Sequence, residues 1–225
     1  MNRLYQKCQS AGIRPQHVAE VGVYSPELSN VLPYIQAGVR TTLVEADPVL
    51  GEKIQARFAN QPHVTLHRVA VSDENGTVEL VQRGPSTFLS QLATSPAIVN
   101  DGYVLNDEDR FLVKSLKFSE IDDKTIDLLS IDIEGAEWFV VKHLVSRPAV
   151  ISIETHCKYY RNPYLTEIQN WMVSNNYRPW FMNDCDTVFV RADVLQPRDN
   201  DKFRLRLAYL GHHLKGWKRW FRRGS

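Results

Sequence analysis

No stretch of this sequence approaches the roughly 18 uninterrupted apolar residues of a membrane-spanning helix, so no such helix is expected. Cysteine is scarce: Cys8, Cys157 and Cys185 are odd in number, far apart and without paired metal-ligand spacing. Such residues read as free thiols in a reducing compartment. The first ten residues lack the apolar core of a secretion signal, and together these absences predict a cytoplasmic protein. Internal repeats and a clean linker are missing too. The expectation is one domain over residues 1–197 with an appendage over 198–225.

With 43% apolar and 24% charged residues in 225, the composition is that of an ordinary globule, long enough to bury a substantial core. A net charge of +1 hides an asymmetry: nine Lys or Arg and two Asp lie from Arg198 onward, leaving 18 basic and 24 acidic groups before it. The basic, aromatic segment 211–223 suits a terminal helix docking Leu214, Trp217, Trp220 and Phe221 on the body. It equally suits peripheral contact with an anionic membrane. A nucleic-acid partner is not expected.

The most informative stretch is Asp-Leu-Leu-Ser-Ile-Asp-Ile-Glu-Gly-Ala-Glu at 127–137. Its near-continuous apolar run is that of a strand buried on both faces. The strand runs into Asp132 and Glu134, with Gly135 opening a turn. In open parallel sheets ligands sit beyond the carboxyl ends of strands, so acids emerging there are placed for chemistry.

Around it, strands and helices alternate. An opening helix (about 2–11) precedes a strand at 18–22. A helix follows, capped by Ser25 and carrying Leu28, Val31, Leu32 and Ile35 at helical spacing. A second strand at 41–45 leads through Asp47-Pro48 into a helix with Leu50, Ile54 and Phe58 on one face. The third strand spans 63–71, and an extended segment follows at 77–81. Residues 83–111 are polar, broken by Gly and Pro and without a period, which predicts a functional lid or partial disorder. Strands at 127–132 and 150–154, helices after each, and a late hairpin near 177–182 and 187–191 complete the pattern. Such alternation predicts an α/β fold with a mostly parallel sheet covered on both faces.

The first strand-to-helix turn, Glu20-Val21-Gly22-Val23-Tyr24-Ser25, has one of the three glycines of a pyrophosphate-binding fingerprint. Glu45, about twenty residues beyond the turn, is placed to hydrogen-bond ribose hydroxyls, or to be a solvated strand end. The small apolar residues that end the third strand, Ala70 among them, can flank an adenine ring. Asp73 either accepts from the adenine amine or caps the turn with Asn75-Gly76. An adenosine pocket without a phosphate cradle suggests S-adenosylmethionine as ligand.

The ordered set Glu-Val-Gly at 20–22, Val-Glu-Ala-Asp-Pro at 44–48, Val-Ala-Val-Ser-Asp at 69–73, Ser-Thr at 86–87 and Ile-Asp-Ile-Glu-Gly-Ala-Glu at 131–137 resembles the FkbM-type methyltransferase family, over about residues 17–191. The resemblance implies a class I methyltransferase (Rossmann-like) fold, S-adenosylmethionine as donor and O-methylation, often of sugars or polyketide-type products. Glu20, Gly22, Ser25, Glu45, Ala46, Ala70, Asp73 and Asp132 then become donor-binding candidates. Two positions depart from the family pattern. Val23, Tyr24 and Ser25 replace its usual Gly-x-Asn-x-Gly continuation, and Ser130 stands where lysine is common.

Methyl transfer to an alcohol needs in-line alignment and either a base or a metal that acidifies the hydroxyl. His156, with Asp132 and Glu134, is the candidate catalytic set, because a histidine titrates near working pH. The competing expectation is that His156 only hydrogen-bonds at a strand end. Asp132, Glu154 and His156 could instead hold Mg²⁺, Mn²⁺ or Ca²⁺. Glu137 is expected on the first turn of the following helix, where its charge favours the helix dipole. Tyr159, Tyr160, Arg161, Asn162 and Tyr164 suit a small-molecule or glycan acceptor, or are ordinary surface-loop residues. The alternatives are a nicotinamide-dependent oxidoreductase, disfavoured by the missing glycines, and a non-catalytic adaptor that keeps the fold.

Overall fold

A computed structural model describes residues 2–83, 86–92, 94–201, 203–205 and 207–208. Helix α1 (Arg3–Ser10) starts at Asn2, whose side chain accepts the Tyr5 N–H at 2.9 Å, and it buries Leu4 and Cys8. There follow β1 (His17–Val21), α2 (Leu32–Gln36), β2 (Arg40–Val44), α3 (Pro48–Phe58) and β3 (Val64–His67). A middle segment contains β4 (Ala70–Val71), β5 (Gly76–Arg83), β6 (Ser86–Leu89), α4 (Pro96–Asp101) and β7 (Arg110–Leu116). The chain then forms β8 (Leu128–Ile131), α5 (Glu137–Lys142), β9 (Val150–Glu154), β10 (His156–Cys157) and β11 (Tyr160–Arg161). It closes with α6 (Leu165–Ser174), β12 (Tyr177–Asn183) and β13 (Asp186–Arg191).

Seven strands form the main sheet in the order β12-β13-β9-β8-β1-β2-β3. All neighbours are parallel except β13, which pairs antiparallel with both β9 and β12. The chain leaves β1 toward β2 and β3, then returns to its other side through β8 and β9. That reversal is the topological switch point, where ligands of doubly wound sheets bind.

Continuous apolar strands make sense because both faces are covered. Ala19, Val21, Leu129, Ile131, Ile151 and Ile153 pack with Val140 and Val141 of α5 and Ile168 and Met172 of α6. Val18, Leu43, Leu128, Val150 and Val188 face the other way, onto Leu4, Tyr34, Ile35, Ile54 and Phe58 of α1, α2 and α3.

Several sequence expectations need correction. The helix expected from Ser25 starts only at Leu32, and Leu28 is left exposed. The cause is Glu20: its carboxylate accepts from the Ser29 hydroxyl and from the Asn30 N–H, holding residues 29–30 as a turn. The expected third strand divides into β3 in the main sheet and β4 in another. The described part of 83–111 forms regular elements rather than an aperiodic connection. With β5, they contribute to a four-stranded sheet of order β4-β7-β5-β6.

Cys157 and Cys185 form a disulfide, leaving Cys8 as the free thiol, so the ground for a reducing compartment is gone. Among the described residues no helix is long and apolar enough to cross a membrane. The segment 211–223 lies outside the described residues. Before it, Asp201 pairs with Lys7 of α1 at 2.9 Å, and Leu205 is buried.

Candidate active site

The carboxyl ends of β1, β2 and β8 open on a cavity of about 710 Å³, its open mouth included. Gly22 and Tyr24 line it after β1, Glu45 and Ala46 after β2, and Asp132 and Glu134 after β8. Val69, Ala70, Val71 and Leu80 supply one apolar wall, and Thr87, Phe88 and Leu89 of β6 another. The second sheet, unforeseen from sequence, therefore builds part of the pocket.

Gly22 is required at the floor. Its φ is +85°, and a Cβ there would lie 1.8 Å from the Asp132 carbonyl oxygen. Glu45 is buried, and its carboxylate ties this turn together. It accepts from the Val23 and Tyr24 N–H groups at 3.1 Å each and from Asp47 N–H at 2.8 Å. Burial raises its pKa above the usual range, against those hydrogen bonds. Glu20 lies one layer behind, buried and raised to about 7 by desolvation. Ser130, its register partner across β1 and β8, accepts from Asn30 Nδ2 at 3.1 Å. Serine and asparagine thus fill the space beside Glu20 where the resemblance would place a lysine.

After β8 the chain turns sharply, with Glu134 in the left-handed region at φ 59° and Gly135 at 113°. A non-glycine residue held there is strained, and such positions concentrate at functional sites. Glu134 Oε1 accepts from Ser86 Oγ at 3.0 Å, while its Oε2 is buried without a hydrogen-bond partner. Thr87 Oγ1 has none either. Burial, then the nearby Asp132 charge, lift Glu134 to about 8. Asp132 itself is open to the cavity but walled by protein, which raises it to about 6.

Glu137 occupies the expected first turn of α5, but it is fully buried. Its Oε1 accepts from the Ile133 N–H at 2.9 Å and the Gly135 N–H at 3.1 Å, and its Oε2 from Asn162 Nδ2. It therefore shapes the acidic loop from within. Glu154, at the end of β9, and Asp186, its register partner on β13, are buried too, and desolvation raises both. Asp186 accepts from Ser152 Oγ at 2.8 Å.

The remaining candidates sit elsewhere. Asp73 carries its charge outward, paired with Lys142 Nζ at 2.7 Å and His143 Nε2 at 2.8 Å, which lowers its pKa; it does not line the cavity. The Ser25 hydroxyl donates to Glu27 Oε2 at 3.0 Å. His156 is buried with ring Nδ1 3.0 Å from Thr155 Oγ1, and its backbone N–H donates to the Cys185 carbonyl at 3.2 Å. It is not a lining residue of the cavity. In the acidic cluster Glu137 stands where His156 was expected, beside Asp132 and Glu154.

The strand order and a ligand cavity at its switch point define a class I methyltransferase fold. Residues 19–179 match the methyltransferase FkbM domain, and the chain belongs to that family of S-adenosylmethionine-dependent methyltransferases. No curated protein matches the sequence. Among solved structures, similarity extends to a SAM dependent methyltransferase from Aquifex aeolicus, at 11% identity and TM-score 0.45, covering 84% of this chain and 88% of that one. The ribosomal protein L11 methylase from Lactobacillus delbrueckii subsp. bulgaricus is similar at 10% identity and TM-score 0.43, over 82% and 73% of the two chains.

Proposed function

We propose that this methyltransferase moves the donor's methyl group to a hydroxyl oxygen of a glycan or of a glycosylated or lipid-linked product. When bound, S-adenosylmethionine supplies an electrophilic methyl group on a sulfonium that leaves as a neutral thioether. Glu45 holds the ribose hydroxyls while keeping its hold on the Val23–Tyr24 turn. Ala70 and its apolar neighbours flank the adenine, and Ala46 closes the ribose side. Asp132 faces the positive end of the donor.

The observation that carries the acceptor side is Glu134, which lines the donor cavity and whose Oε2 has no hydrogen-bond partner. In its ionised form, which grows as pH rises toward about 8, Glu134 would take the proton of an acceptor hydroxyl there as the methyl group passes from the donor sulfur to that oxygen. Glu134 takes this role rather than His156 because it lines the cavity. The loop after β10, where Asn100 Oδ1 accepts from the Tyr159 and Tyr160 N–H groups at 3.0 Å and ties it to α4, offers groups that suit carbohydrate. Aromatic faces with amide edges match a sugar's apolar faces and hydroxyl rim.

A panel of sugars and hydroxylated glycosides, assayed for S-adenosylhomocysteine release, tests this. Glu134→Gln should lower turnover by about 10²–10⁴-fold, the usual worth of a positioned base, with donor affinity retained. Unchanged turnover would remove Glu134 as the base, and transfer only to amines would remove the hydroxyl acceptor.

A further inference from the structure

Behind the donor cavity, one carboxylate oxygen each from Asp132, Glu137 and Glu154 lies within 4.8 Å of the others. They come from the end of β8, the first turn of α5 and the end of β9, so regular elements position all three. No lysine or arginine pairs with them among the described residues. Glu134 and Asp186 are two further acids close enough to act on Glu154. Glu137 and Glu154 are buried while Asp132 opens to the cavity, and buried acids without a counter-charge are costly unless protons or a cation relieve them.

A second observation points to a ligand. Glu154 is 5% exposed, and its Oε2 is buried with no hydrogen-bond partner. The Tyr160 hydroxyl, of a residue 2% exposed, is also without one, and it lies beside Gly135 of the acidic loop, 3.2 Å from where a Cβ there would sit. A carboxylate offers about four lone-pair sites. Glu137 uses three of them, on Ile133, Gly135 and Asn162, contacts that fix its orientation as outer partners of metal ligands do.

We propose that Asp132, Glu137 and Glu154 hold one hard divalent cation, Mg²⁺, Mn²⁺ or Ca²⁺. An all-oxygen donor set suits these ions better than zinc. Because Asp132 also lines the donor cavity, the ion would border the acceptor position and make its hydroxyl more acidic. Only that catalytic consequence rests on the methyltransferase reading; the binding does not.

The test is titration of the full chain with Mn²⁺, followed by the electron paramagnetic resonance of the free ion, with S-adenosylhomocysteine binding measured calorimetrically in parallel. The wild type should bind one Mn²⁺ with a dissociation constant on the order of 10⁻³ M or tighter, displaced by Mg²⁺ or Ca²⁺. Glu154→Gln should weaken this by about tenfold or more while S-adenosylhomocysteine affinity holds, which also shows that the variant is folded. Glu137→Gln serves if Glu154→Gln fails to fold. Absence of Mn²⁺ binding at about 10 mM, or unchanged affinity in a folded variant, would overturn the proposal. Loss of S-adenosylhomocysteine binding by the wild type would instead overturn the donor assignment and leave the cation result standing.

Discussion

At Gly22 the chain passes so close to the Asp132 carbonyl that no side chain fits, and this contact sets the floor of the cavity. Gly22→Ala should cost roughly 2–5 kcal/mol, combining left-handed strain with forced separation of β1 and β8. Urea unfolding of the variant reads this directly, and a midpoint equal to wild type would show the turn to be more pliable than its geometry implies. The placement of Glu45 and Asp132 at strand ends was legible in the sequence because each directly follows an apolar run, and Glu134 comes two residues later. Glu137 was visible as a helix-start acid. Its burial was not, since that depends on Asn162, 25 residues away.

At the level of elements, the parallel half was readable from its apolar runs, and the late hairpin from the turn at Asn183-Asp184. The second sheet was hidden because its strands keep only one face inside. In β7, Val113 and Ser115 are buried while Leu112 is 71% exposed, so the run shows no usable alternation of polarity. The insertion of β13 between β9 and β12 likewise has no local signature, yet it brings Asp186 opposite Glu154 and Cys185 to Cys157. The start of α2 was misplaced for a related reason. Helical spacing at Leu28–Ile35 was real, but a buried carboxylate from β1 claimed the hydroxyl of Ser29 and the N–H of Asn30. The adenine contact read into Asp73 met the same difficulty, because Lys142 and His143 come to it from α5 and the residue just past its end.

For the whole molecule, the concentration of buried acids has a consequence for stability. Glu20 titrates at its ordinary 4.5 in the unfolded chain and at about 7 in the fold, raised by desolvation. Between those values the folded state keeps a proton that unfolding releases, so stability falls as pH rises through this window and levels off above it. The shift corresponds to about 3 kcal/mol. Wild type should therefore be more stable to urea at pH 5 than at pH 8, and Glu20→Gln should remove a share of that difference of this order. A variant with the full wild-type difference would mean that Glu20 is ionised in the fold.

The central claim is that one cavity, bounded by the ends of β1, β2 and β8, receives an adenosyl group held at its ribose by Glu45. Calorimetric titration of S-adenosylhomocysteine into wild type and Glu45→Ala tests it most directly. The account predicts binding of one molecule by the wild type and a loss of roughly 1.5–3 kcal/mol in the variant, as for hydrogen bonds to a charged group. Equal affinity of the two proteins would contradict it.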